Sequence, residues 1–168
     1  MPYILEKSRL NYNNLIKDVV EEIKKDKDQE LAKMKRFIGY MVNNYRYKIY
    51  ESATAESGFK IIENLSIQLV KKIDQSSEDL FSQAGDFNYI MSSVIWSYLG
   101  DNARYGVRAY VRSMIMGCIT PGLLFDDKQE ILRGVLGDIL DELYRRRTAE
   151  YEDRKIKENG DVLPLKFN

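Results

Sequence analysis

Arg104, Arg108 and Arg112 recur at intervals of four, a spacing that lines three guanidiniums along one side of a helix. Like charges at that interval repel, so the row needs a counter-charge. Asp101 is the only acidic residue between Phe87 and Phe125. Two readings follow. The row is a docking site for phosphate or another polyanion, which arginine forks grip bidentately. Or it pairs with carboxylates of the last helix, such as Asp138, Asp141 or Glu142, as an ion-pair ladder.

A second group mixes cations with aromatic rings: Lys33, Lys35, Arg36, Tyr40, Asn43, Asn44, Tyr45, Arg46, Tyr47, Lys48 and Tyr50. Such interleaving can stack bases and hold phosphates. Glu30 and Glu51 frame it and no nucleic-acid motif accompanies it. An amphipathic helix with snorkelling cations is the better reading, and nucleic acid is not expected as a partner.

The third group closes the chain: Tyr144-Arg145-Arg146-Arg147, then Tyr151-Glu152-Asp153-Arg154-Lys155, then Glu158-Asn159-Gly160-Asp161-Val162. On a helix, Tyr144, Arg147, Tyr151 and Lys155 share one side. Asp141–Arg145, Glu142–Arg146, Glu150–Arg154 and Asp153–Lys157 are acid-first pairs four apart, the favourable order. Spacing alone therefore describes a solvated, self-paired helix end. Glu152, Asp153 and Asp161 could together hold Mg²⁺ for phosphoryl chemistry, but no Gly-rich phosphate loop accompanies them.

Composition narrows the chemistry further. The chain has 168 residues, 26 Lys+Arg against 26 Asp+Glu, no histidine and one cysteine. Charge balance argues against a general DNA-coating protein, which needs many uncompensated cations. Without histidine there is no Ser-His-Asp or Cys-His nucleophile system. A single cysteine adds that neither an intrachain disulfide nor an ordinary zinc site is available. Cys118, between Met116 and Ile119, reads as a buried hydrophobe. The expectation is a binding protein, not an enzyme, with no cofactor and no metal. No apolar run is long enough for a signal peptide or membrane span, so a cytoplasmic protein is expected.

The elements that position these groups are all helical. Prolines fall only at positions 2, 121 and 164, leaving long stretches rich in Leu, Ile, Lys and Glu. Apolar residues at helical spacing predict helices over Tyr12–Lys25, Gln29–Tyr50, Phe59–Ile73, Phe87–Leu99 and Ala103–Cys118. Asp74–Gly85 reads as a polar loop, with Asp86 capping the fourth helix. Thr120-Pro121-Gly122 stops the fifth. Asp126 or Asp127 opens a long last helix to about Glu158, and Asn159-Gly160 ends it. The prediction is one all-α domain, a bundle of about six helices with a long C-terminal helix.

The run from Tyr144 to Val162 resembles the C-terminal signature of a family of small, uncharacterised proteins of tailed phages and prophages. The resemblance extends to Gly85-Asp86-Phe87-Asn88-Tyr89-Ile90, to Gly134-Val135-Leu136, and to the opening Met1-Pro2-Tyr3-Ile4 with Arg9. It covers about residues 1–23 and 85–162. Where the family pattern has a proline before Tyr-Glu-Asp, this chain has Glu150. Residues 24–83 have no counterpart in the pattern and read as an inserted helical pair.

The resemblance implies a phage protein at work in an infected bacterial cell, and implies no particular activity. Phages use many small helical proteins against host defence, among them oligomeric sponges that trap nucleotide second messengers. The residues fit that task. Arg104, Arg108 and Arg112 would take phosphates, with Arg145 and Arg146 closing the site. Tyr144, Tyr151 or Tyr89 would stack on a base, and Asn88 and Asn159 would give polar specificity. The expected function is sequestration, without cleavage, of a nucleotide-derived small molecule by a homo-oligomer. The alternative is a helical interaction module that inhibits a host protein or serves as a virion or assembly accessory.

Overall fold

The computed structural model describes residues 6–54, 56–101, 103–119 and 126–161. Met1-Pro2-Tyr3-Ile4, Asn102, Thr120-Pro121-Gly122 and Val162 lie outside them. The described residues form helices and no strand: α1 (Glu6–Lys24), α2 (Glu30–Tyr47), a 3₁₀ turn (Ser57–Phe59), α3 (Lys60–Ser76), α4 (Leu80–Leu99), α5 (Tyr105–Cys118) and α6 (Asp127–Leu143). A π-helical turn (Tyr144–Thr148) continues α6 directly into α7 (Ala149–Asn159). The all-α bundle with a long C-terminal helix, read from the sequence, is what the chain forms.

The apolar stripes meet in one core. Val19 and Ile23 of α1, Phe37 and Met41 of α2, Leu69 and Ile73 of α3, and Phe87, Ile90 and Val94 of α4 are wholly buried. Val111 and Ile115 of α5 and Leu136 and Ile139 of α6 complete it. Each such side chain contributes about 1.5–3 kcal/mol relative to exposure. Helix α4 touches α1, α3, α5 and α6 and is apolar on most of its circumference, as a central helix must be. The pair α2 and α3, within the segment 24–83, packs on itself and on α1 and shares this core. Helix α7 contributes no buried residue. It is an amphipathic appendage held by the polar contacts described below.

Polar chemistry fixes the boundaries. Asp79, not Asp86, caps α4: its carboxylate accepts from the amides of Phe81 and Ser82 at 3.3 and 2.9 Å. The helix therefore starts seven residues earlier than its apolar pattern suggests, and the supposed loop 74–85 is mostly helix. Asp86 is buried in its second turn, accepting from the hydroxyls of Tyr12 and Ser76, both at 2.7 Å. That carboxylate ties α1, α3 and α4 together. Asp126 caps α6 through the amide of Lys128 at 2.9 Å. Lys48 ends α2 in the left-handed region (φ 52°), so α2 stops three residues short of Tyr50.

Glu63 closes the segment after α2. Its carboxylate accepts from Ser52 Oγ and from the amides of Ala53 and Thr54 at 2.5, 2.9 and 3.1 Å. Burial pushes its pKa up. The hydrogen bonds, with Lys60, outweigh burial and hold it below the usual carboxylate value.

Candidate ligand cleft

Helix α5 begins at Tyr105, and Arg104 is its N-cap residue with extended backbone (φ −59°, ψ 147°). Arg104 therefore drops out of the helical row, is exposed, and does not line the cleft. Arg108 and Arg112 remain, one turn apart. No carboxylate of the last helix neutralises them. Among the described residues, neither forms an ion pair with Asp138, Asp141 or Glu142, and Glu142 is engaged elsewhere.

Arg108 is buried, with 2% of its surface exposed. Its Nε donates to the carbonyl of Ala103 at 3.0 Å and its Nη2 to that of Asp101 at 3.1 Å. Its Nη1 is buried without a hydrogen-bond partner. The guanidinium lies 5.7 Å from the centre of the Tyr151 ring, a cation–π distance. Burial, and then the charges of Arg147 and Arg154, press its pKa below the ordinary arginine value. It still carries its proton at neutral pH. A buried cation that satisfies only part of its donor set and, among the described residues, forms no ion pair is costly, and its spare donor is chemically suited to an anion.

The facing wall comes from the π-helical turn and α7. The wide turn is closed by the Ala149 amide donating to the Tyr144 carbonyl, the i→i+5 pattern often found at functional positions. Tyr144, Thr148 and Glu152, each four residues from the last, line the cleft opposite Tyr105, Arg108, Arg112 and Met116 of α5. The space between them is about 240 Å³, just below the roughly 300–1,000 Å³ of ordinary small-molecule sites. Tyr144 is 47% exposed, and its hydroxyl donates to Glu152 Oε2 at 3.1 Å. That carboxylate raises the Tyr144 pKa, so the phenol stays protonated.

Two contacts hold the walls together. Tyr105 and Tyr151 stack, with ring centres 6.3 Å apart and planes inclined by 23°. Arg147 forms an ion pair with Asp101, bridging the π-helical turn to the α4–α5 connection. Tyr151 carries Arg108 and Lys155 against its ring and backs the cleft without lining it.

The other sequence-derived candidates lie elsewhere. Arg145 donates to both oxygens of Glu142 at 3.0 and 2.9 Å, and Arg146 Nε to Oε2 at 2.6 Å. Arg146 also covers the Trp96 ring at 5.4 Å, so it ties the π-helical turn to α4, and neither arginine lines the cleft. Asn88 is a core residue, 1% exposed, accepting from Ser92. Tyr89 donates to Asn13 at 2.8 Å and lies on a groove along α1. Asn159 is exposed at the end of α7. Asn88 and Tyr89 share one turn of α4, but their facing partners are on α1 and within α4.

The mixed group on α2 divides as well. Lys33 is buried and donates to the carbonyl and carboxylate of Glu22 at 3.0 and 2.8 Å. Asn44 and Tyr45 face the core. Lys35, Arg36, Tyr40 and Asn43 line a separate groove with Phe59 and Tyr110, where Arg36 is paired to Glu56. Among the described residues no three acidic or cysteine side chains converge on a metal-sized site. No helix there is long and apolar enough to cross a membrane.

Sequence reasoning missed Tyr105, Met116 and Thr148 as wall residues, and Arg147 with Asp101 as the bridge. The spacing of four in Tyr144, Thr148 and Glu152 carries a signal for them. It was hidden because their neighbours pair so readily along the helix.

Comparison with curated proteins and with solved structures finds no match for the chain. A family model does match, over residues 1–162, with the segment 24–83 included. The chain thus belongs to the family described as Domain of unknown function (DUF6899).

Proposed function

We propose that this protein binds and sequesters a nucleotide-derived anion in the cleft between α5 and α7, releasing it chemically unchanged. One observation carries the reading: Arg108 is a buried guanidinium with an unpartnered Nη1 and, among the described residues, no ion pair, one turn from exposed Arg112. A phosphate would supply the missing counter-charge. Tyr105 and Tyr144 offer exposed aromatic faces on the same cleft, which suits a base. Retention without cleavage rests on composition and on Glu152. The sequence has no histidine, and Glu152, the one acid among the described residues that line the cleft, accepts from the Tyr144 hydroxyl.

A role in phage counter-defence, trapping an immune second messenger in the host cytoplasm, is the setting this chemistry fits. Homo-oligomeric assembly belongs to the same proposal. The competing reading is a helical interaction module. It draws on Phe81 and Leu10, large apolar side chains left 76% and 67% exposed.

The two readings part in one experiment. The purified protein is incubated with a panel of linear and cyclic mono- and dinucleotides, separated from free ligand, and heated. Recovery of an intact nucleotide supports sequestration. Recovery of a cleaved one indicates a hydrolase. Absence of binding by every member removes the cleft reading, and stoichiometric capture of one host protein would then favour the interaction module.

A further inference from the structure

Glu152 is the one feature of the cleft that phosphate binding does not explain. A carboxylate on the wall opposite two arginines repels a phosphate. Neutralising the arginines is not its task either, since among the described residues it forms no ion pair with Arg108 or Arg112. One of its oxygens, Oε2, accepts from Tyr144. No hydrogen bond engages Oε1 among the described residues. The carboxylate thus stands beside two exposed aromatic rings with acceptor capacity to spare, since an ionised carboxylate has about four lone-pair sites.

Resting on the cleft reading above, we infer that Glu152 reads the base of the ligand and that the ligand is a guanine nucleotide. The argument is one of donor patterns. A carboxylate is acceptor-only and matches an edge with two adjacent donors. Guanine presents N1–H beside its exocyclic amino group. Adenine and cytosine present one amino donor beside a ring acceptor, which would face a carboxylate oxygen lone pair against lone pair. Uracil has one N–H between two carbonyls. Only guanine satisfies both oxygens at once. Tyr105 and Tyr144 then hold the base by its faces while Arg108 and Arg112 hold phosphate. The bond from Tyr144 orients the carboxylate and leaves room for the base edge.

A good bidentate pair discriminates by about tenfold to a hundredfold. The test titrates wild type and Glu152→Gln with matched pairs: GMP and AMP, cyclic GMP and cyclic AMP, cyclic di-GMP and cyclic di-AMP. IMP, which lacks the exocyclic amino group, is added. For wild type the guanine member of a pair binds at least about tenfold tighter than its adenine partner, with IMP weaker than GMP. In Glu152→Gln the amide offers one donor and one acceptor, and the preference collapses. Equal or tighter binding of adenine members overturns the inference and leaves the cleft reading standing. A Glu152→Gln variant that weakens both members of each pair equally makes Glu152 only a prop for Tyr144, and also overturns it. Binding of no member overturns both.

Discussion

Two arginine groups lie at the same end of this bundle, around Asp101, and have opposite fates. Arg145, Arg146 and Arg147 are consecutive, and carboxylates take all three: Glu142 receives the first two and Asp101 the third. Arg108 and Arg112, one turn apart on α5, form no ion pair among the described residues. Arg108 is left with two backbone carbonyls and an aromatic ring. The residue type is identical, so the difference lies in the partners. An arginine that has found its acid is part of the fold, whereas a buried one without an acid has capacity for a ligand.

Three substitutions sharpen or break this contrast. Arg108→Met should have the largest effect, and on binding: a nucleotide held by the cleft loses at least about thirtyfold in affinity, from a lost charge contact of about 2–5 kcal/mol. Its stability should fall far less, because replacing a buried charge with an apolar side chain of similar volume is often neutral. Calorimetric titration and urea unfolding report the two effects separately. A large fall in stability with binding intact would make Arg108 a structural residue like its neighbours.

Glu142→Gln should do the reverse. Burial raises the Glu142 pKa, but hydrogen bonds from Arg145 and Arg146 outweigh it and hold the group below the usual value. The folded carboxyl therefore titrates below the unfolded one. Its stabilisation is present above the unfolded pKa, about 4.3, and is lost as pH falls through the folded value. At neutral pH the variant should be less stable by about 1 kcal/mol, with binding unchanged. The gap in Tm between wild type and variant should close as pH drops below about 4. A gap independent of pH would show that the charge is not what matters.

Asp101→Asn should have the smallest effect. Its carboxylate is largely exposed, so loss of the ion pair with Arg147 should cost no more than about 0.5 kcal/mol. Its carbonyl would still accept from Arg108. A loss of nucleotide affinity in this variant would mean that the Arg147 bridge shapes the cleft more than its exposure implies, and chemical denaturation alongside titration would show it.

The contrast also explains what could be read before any coordinates. Helical periodicity gave the stripes of Val19, Ile38, Ile73 and Val94, hence the all-α bundle. Asp126 or Asp127 announced the start of α6, of which Asp126 is the cap, and the spacing of four announced Arg108 and Arg112 along with Arg104. Periodicity does not say what packs opposite a face. Asp86 looked like a cap because a carboxylate is rare inside a helix bundle. Its reasons for being there, Tyr12 and Ser76, lie 74 and 10 residues away. Arg104 shares the row's spacing but not its backbone, since the N-cap residue is extended. Asn88 and Tyr89 share the turn after Asp86 that resembles a motif, yet one faces the core and the other α1. Arg145 and Arg146 look free to meet a ligand, yet Glu142, three and four residues before them, is the nearer partner.

The central claim is that α5 and α7 enclose a site for a nucleotide phosphate. Arg112 tests it most directly, because it is exposed and its loss leaves the core untouched. Titration of wild type and Arg112→Ala with the nucleotide panel, with Tm measured in parallel, should show saturable binding by wild type. It should weaken about tenfold to a hundredfold in the variant at unchanged Tm. Equal affinity in the two proteins, or no binding by either, would contradict the account.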